Sequence, residues 1–423
     1  MRQIAQIKRS EYPQFTDVLV HWASEFDMAS VLNSNNYSDT YGVYTLLAGI
    51  GSKRSIRNKG LQEVREFYNS RKSWLFGHLG YDLKNQFEQL SSRHQSNFDF
   101  GDLSFFEPEI LVIQKRGEDE VRFYGDNESA VSEFLKGLNK FQPRTTVLPK
   151  LQARMERQEY LRAINQLKFE IQVGNIYEIN YCQEFYKEQV EIDSAAAYCM
   201  LNAKSTMPYS AFYKLKSDAL ICASPERFVV KRGRQLYSQP IKGTIKRGVS
   251  EQEDEVLKQQ LKSDLKEQTE NVMIVDLVRN DLSRTAARGT VKVEELFGVY
   301  PFPQVHQLIS TVRSTIDQQY DIFDVIETCF PMGSMTGAPK ISAMQLADLH
   351  EKSRRELYSG SVGYITPDGD ADFNVVIRSL MYSERNKYLS LTVGGAITNL
   401  ANAEQEYEEC LLKAKAIFEL GEK

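Results

Sequence analysis

The stretch Arg227-Phe228-Val229-Val230-Lys231-Arg232-Gly233-Arg234-Gln235-Leu236-Tyr237-Ser238-Gln239-Pro240-Ile241-Lys242-Gly243-Thr244 reads as antiparallel β structure. Two β-prone runs, Arg227 to Lys231 and Gln235 to Ser238, are joined by a turn at Arg232-Gly233-Arg234. Pro240 fixes its own backbone and biases Gln239 toward an extended conformation, while Gly243 lets the chain turn tightly right after Lys242. Lys242 is therefore expected at the end of a strand, beside a glycine that admits a ligand close to the backbone. Most lysines in such places are solvated surface charges, so its weight rests on residues elsewhere in the chain.

Strand patterns continue on both sides. Upstream, 211–215 and 219–223 form a hairpin that ends at Ser224-Pro225-Glu226-Arg227, and 176–182 alternates like a strand buried on one face. Downstream, 360–365, 373–378 and 389–393 read as strands, the last running into Gly394-Gly395, where backbone N–H groups can approach a ligand. The first 115 residues are β-rich, with runs at 43–50 and 74–81 and a hairpin about Gly117. Residues 142–149 read as a linker, separating an N-terminal β-rich region (1–150) from a second region (151–423). Helical spacing marks Tyr160, Ile164, Leu167 and Ile171, closed by Gly174, and a short helix at 195–201. A charged helical run spans 251–284; its apolar part encloses Asp276, expected buried and paired with Arg279. A final helix from about Ala403 is expected to bury Tyr407, Leu411, Ala414 and Phe418, with Glu406 and Glu409 on one side. Residues 300–306 read as a stiff proline-set loop. Phe330 to Lys340 is a glycine loop whose hydroxyls and N–H groups could cradle an anion at a helix start, though it lacks the end of a P-loop. So many strands with helices between them exclude an all-α protein.

The chain has 423 residues, 42% hydrophobic and 26% charged, which suits a globular protein with two domains or one large domain and an appended one. Lys and Arg number 52 against 57 Asp and Glu, net −5, with no basic tract, so nucleic acid is not an expected partner. No apolar run reaches the length of a membrane span, and the N-terminus lacks the pattern of a signal peptide. The 5 cysteines are scattered, without a CxxC pair, and the 5 histidines show no metal-ligand spacing. Reduced thiols in a soluble cytoplasmic protein are the expectation.

Singly these segments say little; their order and spacing resemble one family. Ser224-Pro225-Glu226-Arg227, Pro240-Ile241-Lys242-Gly243-Thr244 and Glu270-Asn271-Val272-Met273-Ile274-Val275-Asp276-Leu277-Val278-Arg279-Asn280-Asp281 resemble the chorismate-utilising enzymes, which include anthranilate synthase component I. So do Pro301-Phe302-Pro303 with His306, Thr336-Gly337-Ala338-Pro339-Lys340, Gly363-Tyr364, Ile377-Arg378-Ser379, Gly394-Gly395 and Glu406-Tyr407-Glu408-Glu409. The likeness is dense from about Gln158 to Ile417 and thins to fragments such as 76–81 before that. It implies an α+β fold of two large antiparallel β-sheets packed face to face, with helices outside and the site between them.

Within that family, the lysine in its Pro-Ile-Lys-Gly-Thr context is similar to members that convert chorismate and ammonia into 4-amino-4-deoxychorismate, for para-aminobenzoate and folate biosynthesis. Anthranilate-forming members carry alanine there. Water-using members carry a lysine in the strand that here reads Tyr177-Glu178-Ile179-Asn180, so Glu178 disfavours water as nucleophile; it also departs from the glutamine common among aminodeoxychorismate-forming relatives. The alternatives are an anthranilate synthase and a catalytically silent chorismate-binding subunit.

The resemblance implies roles. Lys242 would be the covalent nucleophile, which requires its pKa to be depressed. Glu226 would be the general acid on the departing hydroxyl, protonated near neutrality. Tyr358 and Arg378 would hold a substrate carboxylate, with Gly243, Thr244, Gly394 and Gly395 completing the cradle. His306 would stand near the substrate or serve as a core or orienting group. Glu270 and Glu409, with Glu406 close by, would bind Mg²⁺. No Gly-x-Cys-x-Gly glutaminase elbow is present, so a separate glutamine amidotransferase partner is expected to supply ammonia.

Overall fold

The computed structural model describes residues 1–302 and 305–421, and the strands among them form two antiparallel sheets with helices between them in sequence. The larger sheet has 12 strands, in the order Gln3–Lys8, Glu120–Gly125, Ile110–Lys115, Tyr44–Ile50, Met28–Asn33, Tyr209–Leu215, Asp218–Ser224, Ser379–Ser383, Tyr388–Ile397, Glu178–Lys187 and Gly337–Ala338, with Gln152–Ala153 beside Glu178–Lys187. The smaller has 10: Ile241–Lys246, Val305–Thr315, Gln235–Gln239, Arg227–Arg232, Ala371–Asn374, Ser361–Ile365, Leu75–Leu79, Leu103–Glu107 and Arg54–Arg57, with Lys292–Pro301 against Val305–Thr315.

The period-2 geometry of a strand explains the layering. Along Tyr44–Ile50, Leu46, Ala48 and Ile50 join one core while Leu47 joins another; Phe212 separates in the same way from Ala211 and Tyr213. The first core lies between the larger sheet and helices Phe15–Ala23, Glu128–Gly137, Ser194–Lys204 and Ala403–Phe418. The second takes side chains from both sheets, among them Leu47, Tyr213 and Leu220 of the larger and Phe76, Phe105 and Phe373 of the smaller. The sheets are thus packed face to face, as expected. It also explains why Glu178–Lys187 is buried on both faces over its first eight residues instead of one.

Segments before and after residue 150 are interleaved. Met28–Asn33 pairs with Tyr209–Leu215, and Leu75–Leu79 with Ser361–Ile365, so each sheet draws on both. Residues 142–149 are irregular, as read. The helical run at 251–284 is two helices, Glu251–Ser263 and Leu265–Ser283, because the Asp264 carboxylate caps the second by accepting from the N–H groups of Lys266 and Glu267 at 2.9 and 3.1 Å. In the second, Asn271, Ile274, Val275, Val278 and Leu282 form the buried stripe, and Asp276 faces away from it. Asp276 is 63% exposed and pairs with Arg279 at 2.6 Å, which overturns its expected burial. The last helix buries Glu406, Cys410, Ala414 and Ile417, so its inward face is rotated from the one expected. Of the proline-set stretch, Tyr300 and Pro301 end one strand and Val305 and His306 begin the next, with Pro301 opposite His306; Pro303 and Gln304 lie outside the described residues.

Twice the chain steps between the sheets at one place. It leaves the larger sheet after Ser224 and enters the smaller at Arg227, then leaves the smaller after Asn374 and returns at Ser379. The two crossovers are hydrogen-bonded together: Ser224 Oγ donates to the Val375 carbonyl (2.5 Å), the Val375 N–H to the Glu226 carbonyl (3.0 Å), and the Ala223 N–H to the Arg378 carbonyl (3.3 Å).

Candidate active site

Lys242 lies in the edge strand Ile241–Lys246, which pairs with Val305–Thr315 on both sides of the lysine. Ile241 opposes Ile309 and Thr244 opposes Gln307, so one strand advances by one residue more than its partner. The expected turn after Lys242 is therefore a bulge inside a strand. Gly243 takes φ +89°, and a Cβ there would stand 3.0 Å from Glu267 Oε2 and 3.2 Å from Leu308. The bulge re-aims the lysine across the gap between the sheets, where its Nζ donates to Oε1 of Glu178 at 2.7 Å. The Glu178 side chain is buried, at 2% exposure, and that of Lys242 is mostly covered, at 10%; Glu178 Oε2 has no hydrogen-bond partner. Burial works to lower the Lys242 pKa, but the carboxylates of Glu178, Glu270 and Glu226 outweigh it and the net direction is upward.

Glu226 and Arg378 sit on the two crossovers. Glu226 Oε1 accepts from Ser334 Oγ at 2.7 Å, and burial pushes its carboxyl up from 4.5 to about 7, against the opposing pull of Ser334, Lys242 and Arg378. A carboxyl protonated near neutrality is what a general acid requires. Ser334 belongs to the glycine loop, whose hydroxyls do not form the expected anion cradle: Ser334 is turned to Glu226, and Thr336 donates to the carbonyls of Met332 and Gly333. The Arg378 guanidinium forms no ion pair among the described residues; Nη1 faces Met207 Sδ at 4.0 Å, and burial draws its pKa down to about 10. A half-buried guanidinium without a carboxylate is a ready receptor for one.

The acidic residues come from two helices and are linked through Lys266. Lys266 Nζ stands 3.9 Å from Glu270 Oε1 and 3.5 Å from Glu406 Oε1. Burial pushes Glu270 up to about 7, with Lys242 and Lys266 pulling it down and Glu178 and Glu267 adding to the rise. Burial and then Glu409 raise Glu406, whereas Lys413 at 2.8 Å lowers Glu409, whose side chain is 46% exposed. Glu267, raised by burial and by Glu409, is a fourth member that the sequence reading missed. Its signal was legible: Glu267 and Glu270 repeat the i, i+3 spacing of Glu406 and Glu409. Among the described residues no three acidic, histidine or cysteine side chains converge on one point. Yet Glu270 Oε1 is buried without a hydrogen-bond partner, and an orphaned carboxylate oxygen whose charge burial and the neighbouring Glu178 and Glu267 disfavour suits a hard divalent cation.

Tyr358 is buried, and its hydroxyl accepts from Cys182 Sγ at 3.9 Å. A Cβ on Gly394 would meet Cys182 Sγ at 2.5 Å, the Tyr181 carbonyl at 2.7 Å and the Tyr358 hydroxyl at 3.2 Å, so only glycine fits there. Gly394 and Gly395 oppose Cys182 and Tyr181, while pairing with the strand Ser379–Ser383 stops at Leu391. From Thr392 onward the strand is therefore paired on one side only. Thr244 is exposed, opposite Gln307. His306 is fully buried with Nε2 2.8 Å from Asp254 Oδ1, which also accepts from the Gly248 N–H; it anchors the helix Glu251–Ser263 and touches none of Lys242, Glu226 or Glu270.

The model of the chorismate binding enzyme family matches residues 31–419. Aminodeoxychorismate synthase component 1 of Klebsiella aerogenes is 34% identical over 344 residues, 81% of this chain and 76% of that protein. Anthranilate synthase component 1 of Thermus thermophilus is 31% identical over 82% of this chain and 77% of its own length. The crystal structure of anthranilate synthase component I from Streptococcus pneumoniae superposes with a TM-score of 0.76 at 23% identity, covering 92% of each chain, and thereby shares the fold. The chain belongs to the chorismate binding enzyme family.

Proposed function

We propose that this chain forms 4-amino-4-deoxychorismate from chorismate and ammonia, the activity in the name of its Klebsiella aerogenes relative. The observation that carries the reading is Lys242, a mostly covered amine projected by a strand bulge into the gap between the sheets, within the field of Glu226. The likeness to an anthranilate synthase component 1 keeps that activity as the second reading, but bonding ammonia directly to C2 with loss of water, followed by elimination of pyruvate, has no use for a nucleophilic lysine at this position.

In the proposed reaction Arg378 takes a substrate carboxylate, and the Lys242 amine bonds to C2 of the ring. Both conjugated ring double bonds shift by one position, carrying the electron pair from C2 round to C4, and the C4–O bond breaks as Glu226 gives its proton to the departing hydroxyl, releasing water. Ammonia then bonds to C4, the shift reverses, and the C2–N bond breaks to return the lysine. Glu270, Glu406 and Glu409 would hold Mg²⁺, which when bound supplies positive charge for a ring carboxylate. "Component 1" in the relative's name supports a second subunit, which we take to be a glutamine amidotransferase. Cys182, buried and with its thiol pushed up by burial, is unsuited to glutaminase chemistry here. All five cysteines are free, which suits a reducing cytoplasm, and no helix among the described residues is long and apolar enough to cross a membrane.

The test is product identification by mass spectrometry after incubation with chorismate, Mg²⁺ and ammonium at mildly alkaline pH. An amino-substituted product that keeps its enolpyruvyl group is expected; anthranilate with pyruvate would overturn the reading in favour of the second.

A further inference from the structure

Resting on the reading of Lys242 as nucleophile, we infer that Glu178 is the general base that takes the lysine's proton, and that the proton stays within the pair until the lysine is expelled. Three observations carry this. Glu178 is the one hydrogen-bond partner of Lys242 Nζ among the described residues, at 2.7 Å. The pair is removed from bulk water, with Glu178 at 2% exposure. The second oxygen of Glu178 is buried and unpartnered, so the carboxyl has an open position on which to hold a proton.

The surrounding charge decides between internal transfer and loss to solvent. Lys242 lies in the field of Glu178 on the facing strand, Glu226 at the crossover, Glu267 and Glu270 on the helix Leu265–Ser283, and Glu409 on the last helix. Lys266 and Arg378 are the nearby cations. A proton lost to solvent would leave this acidic site one charge more negative just as a dicarboxylate enters. Passing it from Nζ to Glu178 leaves the net charge unchanged.

The step balances. The ammonium gives one proton to Glu178, leaving a neutral amine and a neutral carboxyl. The amine's lone pair forms the C2–N bond while the C4–O pair leaves with the Glu226 proton as water, and the adduct is a secondary ammonium. Ammonia's lone pair then forms the C4–N bond, the C2–N pair returns to Lys242, and Glu178 hands its proton back. The product leaves as an alkylammonium and Glu226 recovers its proton from solvent.

The consequence is a protonation state, not only a rate. The reactive tautomer and the resting ion pair hold the same number of protons, so the nucleophile adds no pH dependence to the wild-type reaction. In Glu178→Gln the lysine must lose its proton to solvent. Dividing variant by wild-type kcat/KM cancels the ionisation of Glu226 common to both. The ratio is expected near 1/100 at about pH 7, rising about tenfold per pH unit toward the lysine's own pKa. Chorismate binding, followed by fluorescence titration, is expected to hold or tighten, because Arg378 is untouched and one negative charge facing the dicarboxylate is gone. A pH-independent ratio, or a variant faster than wild type near neutrality, would overturn the inference; the second would make Glu178 a clamp that withholds the amine. Should Glu178→Gln not fold, Glu178→Asp keeps a carboxylate and is expected to give a reduced but pH-independent ratio, and a rising one would count against the idea. If wild type itself yields no amino product, the proposed function falls and this inference with it; product with a flat ratio removes this inference alone.

Discussion

Replacing Glu226 with glutamine should weaken activity and strengthen the fold, and both follow from one carboxyl. The side chain is 4% exposed, and burial moves its pKa from 4.5 to about 7. A carboxyl raised in this way favours the folded state fully below pH 4.5; that advantage declines as pH rises to about 7, above which the whole cost of a buried carboxylate is present. At about 1.4 kcal/mol per pH unit, the cost at pH 8.5 is about 3 kcal/mol. Glutamine keeps the shape, still accepts from Ser334 and never ionises, so the variant should gain about 3 kcal/mol over wild type at pH 8.5 and almost nothing at pH 4.5. Urea unfolding of both proteins at several pH values reads this directly. Glu270, raised to a similar degree, titrates in both and cancels in the difference. In the same variant kcat should fall by about 100-fold or more, because glutamine cannot protonate the leaving hydroxyl. A stability difference that does not grow with pH would refute the account of Glu226 as a carboxyl held protonated by burial.

Lys242→Ala should abolish or sharply slow formation of the amino product while leaving chorismate binding largely intact; wild-type rates in that variant would end the covalent role. Arg378→Met should raise the dissociation constant for chorismate by about 10- to 100-fold, the worth of one or two charge-assisted hydrogen bonds, as read by calorimetry. Gly394→Ala pushes a methyl group into the Tyr181 carbonyl and Cys182 Sγ, and should lower stability by about 1–3 kcal/mol, visible as a fall in melting temperature.

What was legible in the sequence was local. The hairpin Arg227–Arg232 to Gln235–Gln239 and the helix Arg157–Gln172 carry their periodicity and their stops within a dozen or so residues of one another, and both form as read. The likeness to a known family supplied the two-sheet plan. The bulge at Lys242 was not legible, because glycine after a lysine serves a turn or a bulge alike and the partner that decides, Val305–Thr315, lies far along the chain. The rise in the lysine's pKa comes from carboxylates on the facing strand and neighbouring helix, fields that no spacing records. Asp276 failed for a simpler reason: an apolar run in a helix is not buried all round, and the 100° step carried that one residue to the wet side. Lys242, Glu226 and Arg378, named by likeness, meet at the crossovers; His306, also named, is occupied with Asp254.

The interleaving of the chain bears on how it is made. Met28–Asn33 finds one neighbour in Tyr44–Ile50 at once but waits for Tyr209–Leu215 to cover its other edge, and Leu75–Leu79 waits for Ser361–Ile365. While the ribosome is still extending the polypeptide, the early strands therefore show open, apolar edges to the cell, the kind that invites pairing with other chains. Neither sheet closes until the last fifth of the polypeptide has emerged, so a fragment ending at residue 150 is expected to precipitate where the whole chain folds.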